Sequence, residues 1–350
     1  MAKQRIPVVV LAGFLGSGKT TLLNHLLRSS GGTRIGAIVN DFGSINIDAL
    51  SVAGQVDSMV ALDNGCLCCA VDATEMDDML ARLSRPQARI DVIVIEASGL
   101  AEPQGMIRLL LASTNTAITY GGLVEVVDAA EFEAVRARHP ELDRHVRAAD
   151  LVVLNKTDRV DAEALGRVRA ALTALAPDTP LVEAAHGRVR PDLLFDPRPR
   201  PADDAPARQL SFEELSADHA HHADGDDGDH EGHLHAAYES VEFTSEAPLH
   251  PRRLSEFLDT RPAGLFRMKG FVRFAAPGHP QKFTLHAVGG FLRFTSSAWA
   301  RGESRATRLV MIGSGLDAEG LRKRLGDCVA GPAAEIPEDA MLGVLRYLRP

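Results

Sequence analysis

The chain is short of several things, and each shortage removes a class of function. Its 350 residues hold four cysteines, Cys66, Cys68, Cys69 and Cys328, and the first three fall within four positions. That is not the spread-out set of a disulfide scaffold, and it suits metal or redox chemistry in a reducing cytoplasm. No apolar run approaches the roughly 18 residues of a membrane span. The opening segment is apolar only from Ile6 to Leu11 and leads directly into a glycine-rich loop, so it reads as a buried strand and not as a signal peptide. Basic excess is missing too. A formal net charge of −9, with no basic stripe, excludes a general nucleic-acid binder. What remains, 45% hydrophobic and 24% charged residues, is ordinary for a soluble globular protein, and the length suggests two domains.

The segment Gly13 to Thr20, GFLGSGKT, follows the apolar run and fits the spacing G-x-x-x-x-G-K-[ST] of a phosphate-binding loop. Gly13, Gly16 and Gly18 let the backbone turn tightly and bring its N–H groups, including that of Ser17, against phosphate oxygens. Lys19 adds a point charge at the β- and γ-phosphates, and Thr20 offers a hydroxyl to Mg²⁺. Thr21 opens an apolar helical stretch whose positive end faces the anion.

Downstream, apolar runs alternate with helical patterns. Strands are expected at Ile6–Leu11, Arg34–Asn40, Val92–Ile95, Leu123–Val127, Leu151–Leu154 and Pro180–Val182, with helices such as Glu75–Leu83, Gln104–Leu111 and Ala162–Leu175 between them. Near-continuous Val, Ile and Leu suits strands buried on both faces. The pattern is that of an α/β domain with a doubly wound, mainly parallel sheet, in which ligands sit at the C-terminal strand ends. The distinctive short segments fall at those ends. Asn40-Asp41-Phe42-Gly43 reads either as a turn or as a site where Asp41 presents a carboxylate to metal. Asn64-Gly65-Cys66-Leu67-Cys68-Cys69 offers soft thiolates suited to Zn²⁺ and other late transition metals. In an extended segment Cys66 and Cys68 point to one side, and two thiolates need Cys69, Asp41 or a distant His to complete a tetrahedral site. Redox sensing is the rival reading. Glu96, ending the run Val92–Ile95, is placed to hold Mg²⁺ or its water, and Gly99 to meet the γ-phosphate through its N–H. Asn155-Lys156-Thr157-Asp158 follows another buried run and suits guanine: Asp158 accepts from N1–H and the exocyclic amine, Asn155 reaches the base's acceptors, and the Lys156 stem packs on the ring. Adenine would leave Asp158 unpaired at a cost of about 1–3 kcal/mol.

After Pro191 the composition changes. Asp196-Pro197-Arg198-Pro199-Arg200-Pro201 cannot continue a helix or a central strand. Residues 218–235 then carry His219, His221, His222, His230, His233 and His235 among Asp and Glu, with too few apolar residues to fold alone. Neutral imidazoles there suit loose collection of zinc, nickel or cobalt, and the plain alternative is a solvated acidic linker. From Tyr238 a mixed pattern begins: strands at Ser240–Phe243, Leu265–Phe274, Lys282–Val288 and Arg308–Ile312, helices at Pro251–Leu258 and Ala318–Leu325. A small sheet with helices on one face is expected, with Phe271, Phe274, Phe283, Phe291 and Phe294 as core and interface. The reading is therefore a nucleotide-binding domain at 1–197, a Pro-rich then His/Asp-rich linker at 198–237, and an α+β domain at 238–350.

With GFLGSGKTTLLNHLL, NDFG, GCLCC, IEASGLAEP, NKTD and the His-rich linker in this order, the chain resembles the CobW-like family of metal-handling P-loop GTPases. These are cousins of the GTPases that assist nickel insertion into urease and hydrogenase. The likeness extends over essentially the whole chain, including Lys269-Gly270, which matches a K-G pair of the family's C-terminal domain, and His186-Gly187 near the base pocket. It implies that Cys66, Cys68 and Cys69 are metal ligands. One departure is Asp41, where many relatives carry Glu in N-E-F-G. The implied protein is a cytoplasmic GTPase using GTP, Mg²⁺ and Zn²⁺ (or Co²⁺), with catalysis through Lys19, Thr20 and Glu96. It couples nucleotide state to delivery of a divalent metal to a client metalloprotein. A homodimer is allowed, and neither nucleic acid nor membrane is a partner. The alternatives are an activator that inserts cobalt or iron into an enzyme or assists cobalamin synthesis, and a zinc buffer with incidental GTPase activity. No arginine finger or water-orienting Gln is assignable, so intrinsic turnover is expected to be slow.

Overall fold

Among the described residues, seven strands whose aligned neighbours are all parallel make the framework of the first part of the chain. The computed structural model describes residues 5–39, 59–61, 73–99, 102–196, 239–262, 264–331 and 336–348. The chain divides into two compact units, Lys3–Glu231 and Gly232–Pro350. In the first unit the strands are β1 (Ile6–Ala12), β2 (Ile35–Val39), β3 (Met59–Ala61), β4 (Val92–Glu96), β5 (Ile118–Asp128), β6 (Leu151–Asn155) and β7 (Leu181–Glu183), in the spatial order β3-β2-β4-β1-β5-β6-β7. The helices are α1 (Lys19–Arg28), α2 (Ala73–Leu83), α3 (Pro103–Ala112), α4 (Phe132–Arg138), α5 (Leu142–Ala148) and α6 (Ala162–Leu175).

Parallel strands require crossovers, and the described helices supply them everywhere except between β2 and β3, where the chain lies outside the described residues. Strands β2, β4 and β6 are buried at every position, which is why they read as unbroken apolar runs. On β1 the alternate residues Val8, Val10 and Ala12 pack with Met76, Met79, Leu80 and Leu83 of α2 and Met106 and Leu110 of α3. By the strand's two-residue period, Val9 and Leu11 face the other way. Helix α1 follows β1 directly and buries Leu22, Leu23, Leu26 and Leu27. Val127 of β5 and Val152 and Leu154 of β6 pack with α4, α5 and α6 through Phe132, Val146, Val168 and Leu172. The chain leaves β1 toward β2 on one side and later leaves β4 for β5 on the other, so the direction of winding reverses beside β1. Such a reversal opens a crevice at the C-terminal strand ends.

The second unit holds an antiparallel sheet of β8 (Glu239–Ser245), β9 (Leu265–Val272), β10 (Lys282–Val288), β11 (Phe291–Ser297) and β12 (Thr307–Gly313), in the order β11-β10-β9-β12-β8. Helices α7 (Pro251–Asp259), α8 (Ala318–Gly326) and the short α9 (Leu342–Leu345) contribute Leu254, Phe257, Leu258, Leu321, Leu325 and Val344 to the core formed on one face of this sheet. Phe274, Phe283 and Phe294 lie in that core, whereas Phe271 is exposed and carries the Lys282 ammonium 4.7 Å from its ring centroid. The sequence reading had no separate strand for Phe291–Ser297. It pairs back on β10 with Val288 opposite Phe291, and the two-residue turn Gly289-Gly290 between them is a hairpin signal. Strand β9 ends at Val272, so Phe274 lies beyond it. Among the described residues no helix is long and apolar enough to cross a membrane.

Candidate nucleotide and metal site

Strand β1 ends at Ala12, and the backbone of the next six residues wraps before α1 begins. Gly13 and Gly18 hold φ values of 144° and 101°. A Cβ at Gly13 would lie 2.2 Å from the Val126 carbonyl oxygen, and one at Gly18 would lie 2.2 Å from Nδ2 of Asn155, so both positions exclude a side chain. Gly18 is the N-cap of α1 and no side chain caps that end, which leaves the first N–H groups of the helix for an anion. Lys19 is buried and donates from Nζ to the carbonyls of Gly13 at 2.8 Å and Phe14 at 3.2 Å. Burial pushes its pKa down, and Glu96 and Glu125 pull it back up. A triphosphate here would add to that upward pull, since an anion favours the ammonium form.

The next residue, Thr20, donates from its hydroxyl to Oε1 of Glu96 at 2.6 Å. Glu96 closes β4 and is almost wholly buried. A hydroxyl and a carboxylate, brought together at the mouth of the phosphate loop, are hard oxygen donors of the kind Mg²⁺ takes along with water and phosphate oxygens. The donor set therefore fits Mg²⁺, with Thr20 and Glu96 as the residues that would hold it. Three residues beyond Glu96, Gly99 lies against the loop: a Cβ there would be 2.7 Å from the backbone N of Leu15. The E-x-x-G segment and the phosphate loop thus touch.

At the other end of the cleft Asn155, which ends β6 and is 1% exposed, donates from Nδ2 to the Ser17 carbonyl at 2.9 Å and accepts from the Gly187 N–H at 2.9 Å. One amide braces the phosphate loop, the N-K-x-D turn and the His186-Gly187 turn. Lys156 is held with φ 60° and donates to Oδ2 of Asp128 at 2.7 Å, which fixes its stem at the end of β5. Asp158 sits in the following turn with one carboxylate oxygen 3.6 Å from Nε2 of the exposed His186. A carboxylate at this position is what guanine's two donors require.

The structure thus gathers Gly13, Gly16, Ser17, Gly18, Lys19, Thr20, Thr21, Glu96, Gly99, Asn155, Lys156 and Asp158 along the C-terminal ends of β1, β4 and β6, with Thr21 exposed in the first turn of α1. Asp41, Cys66, Cys68, Cys69 and the six histidines His219, His221, His222, His230, His233 and His235 lie outside the described residues. Among the described residues no group of three or more His, Cys, Asp or Glu side chains is placed to hold a metal. The route to the cysteines is nevertheless informative. Val39 of β2 is aligned with Glu96 of β4 on one side and with Ala61 of β3 on the other. The chain passes Val39 two residues before Asp41 and Ala61 five residues before Cys66. With neighbouring strands about 4.8 Å apart, the strand end that leads to the cysteines stands roughly 10 Å from Glu96.

Two residues escaped the sequence reading. Asp128 anchors Lys156, and the buried Glu125 lies on β5 beside the phosphate loop. The signal for Glu125 was present: an acid inside the apolar run Leu123 to Val127.

A phosphate loop on a parallel sheet, an acid at the Mg²⁺ position and an N-K-x-D turn define the chain as a P-loop GTPase. Residues 7–183 match the model of the CobW/HypB/UreG nucleotide-binding domain, and residues 238–329 match that of the cobalamin synthesis protein CobW C-terminal domain. The chain is 32% identical over 340 residues to the zinc chaperone CobW of Sinorhizobium sp, covering 88% of this chain and 93% of that one. It is 33% identical to the zinc chaperone CobW of Pseudomonas aeruginosa, covering 93% of this chain and 92% of that one. Among solved structures it is similar to the Zn(II)-bound YjiA GTPase of E. coli, at 20% identity and a TM-score of 0.45, over 93% of this chain and 99% of that one. The protein belongs to the CobW family of P-loop GTPases.

Proposed function

We propose that this chain is a metallochaperone that holds a divalent metal, zinc in the first instance, on Cys66, Cys68 and Cys69, and that GTP binding and hydrolysis govern its transfer to a client protein. The observation that carries the reading is the aligned row Ala61, Val39 and Glu96 across β3, β2 and β4. The described strands that precede the expected metal ligands in sequence, β2 and β3, end level with Glu96, the residue that would hold Mg²⁺. A rearrangement at one site has a short mechanical path to the other. The names of the two CobW relatives support zinc as the cargo.

At GTP the chemistry is positioning and charge stabilisation. Lys19 exchanges its contacts with the Gly13 and Phe14 carbonyls for phosphate oxygens. Mg²⁺, when bound through Thr20 and Glu96, offsets charge on the β- and γ-phosphates. Gly99, packed on Leu15, is placed to sense whether the γ-phosphate is there. Asp158 and Lys156 select guanine. The histidines of residues 218–235 form an auxiliary, redundant metal store. The test is stoichiometric: protein purified without a tag and loaded with zinc should retain one tightly held ion per chain after extensive dialysis. Cys66→Ser/Cys68→Ser should lose it and still bind GTP. Retention of the ion in the double variant would remove the cysteine site from this account.

A further inference from the structure

Glu125 has no part in the chemistry described so far, yet it is an acid buried inside a strand of the first unit. It is 0% exposed, and neither carboxyl oxygen has a hydrogen-bond partner among the described residues. It is aligned with Ala12 of β1, the residue immediately before the phosphate loop, and with Val152 of β6. Of the charged groups on the helices packed against β5, Glu133 and Arg138 of α4 and Glu163, Arg167 and Arg169 of α6 are exposed. Arg108 of α3 is exposed. Asp143 of α5 pairs with Arg136, Arg144 of α5 faces Glu102, and His145 and Arg147 are the other charged or titratable groups of that helix. Asp150 accepts from Tyr120 and the Leu123 N–H, Asp128 is taken by Lys156, and Glu96 lies two strands away on β4. Of all these, and of the phosphate loop itself, Lys19 alone acts on the Glu125 carboxyl.

The ammonium expected to meet the phosphates therefore also acts on a buried carboxyl group. An ionised Glu125 would compete with the phosphates for Lys19 and repel them through a medium that screens poorly. A protonated Glu125 does neither. We propose that Glu125 is a positioning residue of the nucleotide site that is held in its protonated form when the phosphates of GDP or GTP sit against Lys19, so that nucleotide binding takes up a proton from solvent wherever the empty site has lost it. Burial, opposed by Lys19, raises the Glu125 pKa to about 8 in the empty site, which puts the linkage just above neutral pH. Nucleotide affinity should then fall as pH rises beyond that point, by up to about tenfold per unit. The inference rests on the nucleotide site alone and is independent of any metal on the cysteines.

The experiment is calorimetric titration of Mg²⁺-GDP at pH 7 and pH 9, in buffers of different ionisation enthalpy, for the full-length wild type and for Glu125→Gln. At pH 9 the wild type should absorb close to one proton more per nucleotide than the variant, and its affinity should drop between the two pH values by about tenfold more than the variant's. Because Gln leaves an amide buried, Glu125→Leu serves as a second comparison and should behave like Glu125→Gln. Titration of the nucleotide's own phosphates is common to all three proteins and cancels. Melting of the nucleotide-free proteins adds a readout that needs no ligand. The folded chain holds the Glu125 proton to about pH 8, whereas the unfolded chain releases it near the ordinary value of 4.5. Wild-type stability should therefore fall relative to Glu125→Gln as pH rises from 5 to 8. Equal proton uptake and equal pH slopes of affinity in wild type and both variants would overturn the proposal, whatever the melting curves show.

Discussion

The two sheets of this protein put their polar residues in opposite places. In the parallel sheet β2, β4 and β6 are buried throughout, so polar groups with a task stand where strands end: Glu96 on β4, Asp128 on β5, Asn155 on β6. In the antiparallel sheet polarity alternates along the strand, as on β10, where Phe283, Leu285 and Ala287 are buried and Lys282, Thr284 and His286 are not. A sheet covered on both faces has only its edges for chemistry, while a sheet covered on one face spends its polar residues on solvent. Chemistry therefore concentrates at strand ends in the first unit, and the second unit's sheet serves packing. Glu125 is the exception, an acid inside a covered strand, and for that reason it calls for a function.

Substitutions that exchange the two kinds of position sharpen the contrast. The largest effect on stability is expected at Phe283, fully buried and packed edge-on against Phe274 at 5.1 Å. Phe283→Ala should cost about 3–5 kcal/mol in the unfolding of the second unit, measured by urea titration. A loss below about 1 kcal/mol would show that this core relaxes around the hole. Next comes Lys19→Ala, which removes the ammonium that phosphates would meet. GTP turnover should fall by about 10²–10³-fold, read from single-turnover rates at saturating GTP. Unchanged turnover would detach the loop from the chemistry.

A smaller effect is expected at the base. Asp158→Asn replaces an acceptor by a group that opposes guanine's donors with one of its own. It should weaken GTP by about 1–3 kcal/mol and favour xanthosine triphosphate, measured by competition binding. An unaltered base preference would move guanine recognition elsewhere. The smallest is expected at a helix cap that follows the base turn in sequence and takes no part in the proposed chemistry. Asp161 caps α6 by accepting from the Ala164 N–H at 2.8 Å. Asp161→Ala should cost about 1 kcal/mol of stability and leave GTP turnover as it was.

What the sequence made legible follows the same contrast. Strand β4 and helix α6 were readable because an unbroken apolar run and a clean helical period each have one solution in a covered sheet. The phosphate loop and N-K-x-D turn were readable because their chemistry fixes both residue type and spacing. Strand β3 was missed because three residues, Met59–Ala61, are too few to show a period. Helices α4 and α5 were given no bounds because each has only seven residues, too few to show a helical period clearly. Strand β5 begins at Ile118, earlier than its apolar run, since Thr119 and Tyr120 enter the ladder through backbone pairing with β1. The role of Asn155 was only half readable. Its amide joins Ser17 to Gly187, residues 138 and 32 positions away, and no local pattern encodes such a brace.

Under the proposed function, nucleotide and metal sites communicate across the aligned row of Ala61, Val39 and Glu96. Coupling of this kind is reciprocal: if metal alters nucleotide affinity, nucleotide must alter metal affinity by the same factor. The direct measurement is zinc affinity of the full-length protein, titrated once with Mg²⁺-GDP bound and once with a non-hydrolysable GTP analogue bound, in wild type and in Cys66→Ser/Cys68→Ser. The two nucleotide states of the wild type should differ by about 5–150-fold in zinc affinity, and the difference should vanish in the double variant. Identical zinc affinity in both nucleotide states of the wild type would contradict it.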